Sequence, residues 1–384
     1  MRTRIIALIC ASALALSIPV VATPIIQADV TGSISGMITL PAGHSFRDAS
    51  LATVGEVRAC VFNQVTDVIE CFHKGSVAPD GSYTIDNLST TQKYIVFVTP
   101  QSLPIIPADV LTTTYGGYST PYDSDYRLYY GDDPSISLVS LPSDGSPVVG
   151  IDIEVVQGAI ITGTVSPAAA ANKALWICEL KNNEFFVCNY LKTGNDGSYV
   201  AVASPGATVV ILAEADGYLS MWYGGAFASG DHDQDLANPQ ITTVVTPPAG
   251  GTLTDIDLML LQGATLSGVI TPISADKSND LMACWTNDDK TWNCVNGIIQ
   301  SDGSYSILVS PGAKSTVCAF SEDYLWTCLG GYTSQDKPTP ADMSKAAIKK
   351  VTAPAAGLTL PGLDIRLSPK VVVDTGGTVQ RTGI

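Results

Sequence analysis

Charge, histidine and long apolar runs are all scarce in this chain. Only 15% of the 384 residues are charged, and 20 Lys and Arg face 36 Asp and Glu. The formal net charge of −16 repels phosphate and anionic lipid, so nucleic acid is a poor partner. The three histidines, His44, His73 and His232, sit in unrelated contexts, none beside a nucleophile motif. HExxH, GxSxG and a Gly-rich phosphate loop are missing, which removes the usual anchors of zinc proteases, serine hydrolases and nucleotide-binding enzymes. CxxC spacing is missing too, which argues against the cysteines as zinc ligands. Beyond the N-terminus, no apolar stretch approaches the roughly 20 residues that span a bilayer as a helix. Helical periodicity is weak everywhere, and its best candidate, residues 340–350, reads as a loop insertion.

What is present suits short strands joined by turns: 46% apolar residues, 34 glycines and 23 prolines. Residues 1–28 read as a secretory signal peptide. Arg2 and Arg4 precede an uncharged apolar run from Ile5 to Val21, and cleavage is expected after Ala22 or Ala28. The end, residues 369–384, carries no basic cluster and no LPxTG-like sorting motif. These readings place the protein outside the cell, released or held non-covalently at the surface.

Internal repetition is the strongest signal. An opening segment around Gly36 recurs at Gly163 and Gly268. The turn Asp80-Gly81-Ser82-Tyr83 recurs as Asp196-Gly197-Ser198-Tyr199 and Asp302-Gly303-Ser304-Tyr305. Gly-Gly pairs recur at Gly116-Gly117, Gly224-Gly225 and Gly330-Gly331, and closing segments at Asp152, Asp257 and Asp364. The second and third copies keep a period of about 105 residues, the size of one β-sandwich. Ile151, Ile153 and Val155 alternate with Asp152 and Glu154, the period-2 pattern of a strand with one buried face. The expected architecture is all-β: three tandem seven-stranded, immunoglobulin-like or prealbumin-like sandwiches over residues 29–157, 158–262 and 263–368.

Once Cys10 leaves with the signal, eight of the nine cysteines remain, an even number for an oxidising compartment. Cys60 and Cys71, Cys178 and Cys188, and Cys284 and Cys294 follow the repeat and suit adjacent antiparallel strands. Each bridge would stabilise its copy by about 2–3 kcal/mol in the chain-entropy picture. Cys318 aligns with Leu212 and Cys328 with Trp222. Both positions changed together in one copy only, which predicts a fourth bridge, Cys318–Cys328, across the sandwich.

The opening strand, the Asp-Gly-Ser-Tyr turn, Ser204–Ala207, Ser310–Ala313, the Gly-Gly segment and the closing Asp strand together resemble carboxypeptidase regulatory-like modules. That resemblance implies a prealbumin-like sandwich, a fold grouped with carbohydrate-binding-like domains, used as an accessory or spacer and carrying no shared catalytic residues. The first copy departs from it, with Ser89-Thr90-Thr91 in place of the Pro-Gly turn.

Two candidate sites stand out. Tyr118, Tyr122, Tyr126, Tyr129 and Tyr130 crowd an insertion that breaks the repeat, and exposed tyrosines stack on sugars or fill protein interfaces. Asp231, Asp233 and Asp235 alternate as loop carboxylates do when they ligate Ca²⁺, although Leu236 and Thr242 stand where an EF-hand needs Gly and Glu. Asp123, Asp125, Asp132 and Asp133 offer a weaker version. Tyr83, Tyr199 and Tyr305 recur in register and read as core, and Trp222, Trp285, Trp292 and Trp326 read as packing residues. The chain therefore reads as a non-catalytic exported protein for adhesion, display or carbohydrate binding, with a carbohydrate or a host or cell-surface protein as partner. The alternatives are an accessory or degenerate amylase-like protein and a mechanical spacer.

Overall fold

A computed structural model describes residues 30–46, 54–63, 68–100, 102, 105–120, 136–182, 184–229, 235–273, 279–286, 292–339, 341–373 and 379–381. The signal-peptide reading falls outside them. The fold is all-β. Among the described residues of the weak helical candidate at 340–350, the helical element is a 3₁₀ turn, Asp342–Ser344, which buries Met343.

Each opening strand is paired on both of its sides. In the second copy, Ala159–Ser166 pairs antiparallel with Ser198–Ala203, which follows the Asp-Gly-Ser-Tyr turn. On its other side it runs parallel to Thr252–Leu253 and Leu258–Met259. The third copy repeats this arrangement around Ala264–Thr271. The first repeats it around Thr31–Thr39. Burial explains the pairing. Ile256, Leu258 and Leu260 are each at most 6% exposed, whereas Met259, one step out of phase, is 78% exposed.

A conserved crossing fixes these layers. A Cβ on Gly163 would collide with the carbonyl oxygen of Ile256, and Gly36 and Gly268 meet Ile151 and Leu363 in the same way. Only glycine lets the closing segment cross so closely. The residue opposite each glycine is the turn tyrosine: Gly36↔Tyr83, Gly163↔Tyr199, Gly268↔Tyr305. Its hydroxyl donates to that same carbonyl, at 2.6 Å for Tyr199–Ile256 and 2.6 Å for Tyr305–Leu363, and likewise for Tyr83–Ile151. The closing aspartates then accept from opening-strand N–H groups: Met37 to Asp152, Thr164 to Asp257 and Val269 to Asp364.

The second layer carries the sulfurs. Ala174–Lys181 lies between Glu184–Lys192 and Thr208–Glu214. Asn279–Thr286 occupies the same place in the third copy. Cys178 faces Cys188, Cys284 faces Cys294, and both pairs are bonded. In the first copy the bonded pair Cys60–Cys71 is 11 residues apart rather than 10. The extra residue forms a bulge between Ala59↔His73 and Val61↔Glu70. Phe72 beside it is 77% exposed, on the same outward face as Lys74 and Ser76. Cys318–Cys328 is also bonded, but the contact is lateral rather than across the sandwich. Cys318↔Cys328 and Leu212↔Trp222 are corresponding neighbours within one sheet.

In the first copy the two layers join. Ser82–Ser89 also pairs with Val68–Val77, giving one continuous nine-stranded sheet. The cores divide unevenly. The first copy has its own apolar cluster, whereas buried residues of the second and third form a single one. Phe227 of the second copy meets Trp285 of the third edge-on, centroids 5.5 Å apart.

Candidate functional site

The chemistry-bearing side chains that recur with the repeat serve the backbone. Asp80, Asp196 and Asp302 each accept from the hydroxyl and N–H of the serine two residues on. Those bonds, the hydroxyl's first, hold the carboxyls below the usual range. Burial, and then the nearby aspartate, pushes the Tyr83, Tyr199 and Tyr305 hydroxyls well above their ordinary pKa. Glu179 is buried and raised for the same first reason, while the Ser204 N–H donates to it at 2.7 Å.

Each disulfide is covered on its outer face by a small apolar cluster supplied by the segment after Gly-Gly. Both glycines take positive φ, near +104° and +97° at Gly224 and Gly225, which turns the chain back over the sheet. Met343, Ile348 and Tyr332 cover the third copy's sulfurs. Tyr118 does this in the first copy: it is half-buried against Cys60, Cys71 and Ile136. Its ring is therefore used in packing. Tyr122, Tyr126, Tyr129 and Tyr130, and Asp123 to Asp133, lie outside the described residues.

Asp231 and Asp233 also lie outside them. Asp235 is 4% exposed and takes the Trp222 indole N–H at 3.1 Å and the Ser229 N–H at 2.8 Å. Among the described residues no three His, Cys, Asp or Glu side chains gather as metal ligands would. Trp222, Trp285 and Trp326 are buried, as packing residues should be, and the Trp292 side chain is outside the described set.

The outer face of the second copy and the edge of the third enclose a cleft of about 1030 Å³. Trp176, Tyr218, Glu214 and Asp235 line one wall, and Asn296 and Gln300 the other. Trp176 comes from the strand Ala174–Lys181, two residues before Cys178, so it shares the outer face with the disulfide. Its indole N–H donates to Glu214 Oε2 at 3.0 Å, and the Ser220 hydroxyl lies 3.5 Å from Oε1. The Tyr190 ring stands beside Trp176, centroids 4.9 Å apart and tilted 57°, and is 47% exposed.

Trp176, Tyr190 and Glu214 were not singled out from the sequence, although a signal was there. Trp176 stands where the third copy has Met282 and the first has Arg58, and Glu214 where the third has Phe320. These residues depart from the repeat as point differences on the common scaffold, where the Tyr118–Tyr130 insertion departs from it as added length.

No family model matches the chain, and no curated protein matches it. The resemblance to carboxypeptidase regulatory-like modules thus rests on the residues quoted for it. Among solved structures, the Bacillus anthracis TIE protein aligns over 88% of this chain and 51% of its own, at 10% identity and a TM-score of 0.21. The chain spans about half the length of that protein. A streptococcal ancillary pilin aligns over 85% and 99%, at 8% identity and TM-score 0.24. The minor pilin GBS52 of Streptococcus agalactiae aligns over 60% and 95%, at 11% and 0.25. Likenesses of this size carry no argument about function.

Proposed function

We propose that the chain is an exported, non-catalytic β-sandwich repeat protein, built from three copies of one module, that acts in adhesion or display at the cell surface. One observation carries this reading: the recurring carboxylates and tyrosines are consumed in holding backbone, and four bonded cysteine pairs staple the sheets. Disulfides persist in oxidising compartments, which supports export. Among the described residues no helix is long and apolar enough to cross a membrane. Fractionation of the producing cells, with an antibody to the chain, tests the location. Recovery in the reduced cytosol with free thiols overturns it.

A second reading has a specific observation behind it. Glu214 and Asp235 line one cleft, and paired carboxylates are what glycoside hydrolysis uses. Release of reducing sugar from starch or another glycan, abolished in Glu214→Gln, would establish the enzyme and end the non-catalytic reading. Ca²⁺ at Asp231, Asp233 and Asp235 remains a separate proposal. A Ca²⁺-dependent rise in Tm, absent in Asp233→Asn, supports it, and no rise at millimolar Ca²⁺ removes it.

A further inference from the structure

We propose that the cleft between the second and third copies binds a neutral oligosaccharide, stacked on Trp176 in its wall and on Tyr190 beside that ring at its margin. This rests on the surface-binding reading above and names its ligand class. Four features carry it. The first is the ring pair itself. Tyr190 leaves about half its surface in solvent beside Trp176, a half-buried indole that packs against the Cys178–Cys188 cluster on one side and lines the cleft on the other. Ring faces of this kind take the apolar faces of sugars.

The second feature is preorganisation. The bond from Trp176 Nε1 to Glu214 fixes the indole plane, so little side-chain entropy remains to be lost on binding. The third is charge. Among the described residues the lining holds the carboxylates Glu214 and Asp235 and no Lys, Arg or His, a balance that disfavours sulfated, phosphorylated or uronic ligands. Both carboxylates already accept N–H bonds, so they act as hydroxyl acceptors more than as exposed charges. The fourth is the facing wall. Asn296 and Gln300 are amides, which donate and accept as sugar hydroxyls require. Lys337 Nζ lies 3.2 Å from Asn296 Oδ1, leaving Nδ2 as that residue's donor.

The test is calorimetry on the full oxidised chain with maltotetraose, cellotetraose and chitotetraose, and with tetralysine as the cationic competitor. Binding of at least one tetrasaccharide is expected, weakened roughly tenfold or more in Tyr190→Ala and in Trp176→Ala, as loss of an aromatic stacking partner implies. Tyr190 is exposed, so its variant keeps the test valid should Trp176→Ala unfold. Sugar binding unchanged in a folded Tyr190→Ala overturns the cleft assignment while the surface-binding reading stands. Binding of tetralysine alone, or of no probe at millimolar concentration, overturns the ligand class. Cytosolic location would instead sink the broader reading, and that assay does not involve these residues.

Discussion

Gly163 and Tyr199 converge on one carbonyl, that of Ile256, the glycine by having no Cβ and the tyrosine by capping the oxygen. Tyr199→Phe leaves that buried acceptor unpaired and is expected to cost about 1–3 kcal/mol, read from urea unfolding. Gly163→Ala pushes the closing segment away, with an expected loss of roughly 1–3 kcal/mol or more. Three such tyrosines also set an alkaline limit. Their folded pKa values are raised, so the unfolded chain ionises first. Their contribution is intact below about pH 10, the unfolded tyrosine value, and is lost as pH climbs toward the folded value. Unfolding midpoints measured from pH 8 to 12 should fall beyond pH 10. A flat profile contradicts the buried hydroxyls. The tyrosines were legible as core because they recur in register. Their hydroxyl partner was not, since it lies 57 residues downstream of Tyr199 and is a backbone atom, which leaves no mark in side-chain pattern.

Strand alternation was the most readable feature at the level of elements, because burial on one face imposes it directly, as at Ile256, Leu258 and Leu260. The cysteine pairs were readable for a related reason: a spacing of 10 residues places the partners opposite each other in a short hairpin. Replacing Cys178 and Cys188 together by Ala is expected to lower stability by about 2–3 kcal/mol, measured by denaturant unfolding. What pattern could not supply was the outer cover over each bridge. The cover comes from dissimilar segments, Tyr118 and Ile136 in one copy and Met343, Ile348 and Tyr332 in another, joined only by the Gly-Gly reversal that precedes them. The same blindness hid Trp176, whose neighbours Tyr190 and Glu214 come from two other strands.

Across the whole molecule the copies differ most in how they join. Within the first copy, at its end before the second, His44 Nε2 meets Asp109 Oδ1 at 2.7 Å, both side chains nearly inaccessible, and Gln157 donates to Oδ2 at 2.8 Å. Burial pushes the Asp109 carboxyl up, but the bonds from Gln157 and His44 outweigh it and hold the group below its usual range. Because the folded pKa is depressed, this contribution is present above about pH 4 and is lost as pH falls through the folded value. His44→Ala should destabilise the first copy by roughly 2–3 kcal/mol near neutrality, the worth of a hydrogen bond to a charged group, with the deficit shrinking in acid. Periodicity gave no hint of this, since His44 has no counterpart in the other copies. Nor did it show that the second and third copies share one core, because alternation reports which face is buried and not against what. The proposal of one stapled blueprint used three times is tested most directly by peptide mapping of the protein purified without reduction. The expected result is four bridges, Cys60–Cys71, Cys178–Cys188, Cys284–Cys294 and Cys318–Cys328, with no free thiol among those eight. Free thiols at these positions, or bridges linking different copies, would contradict it.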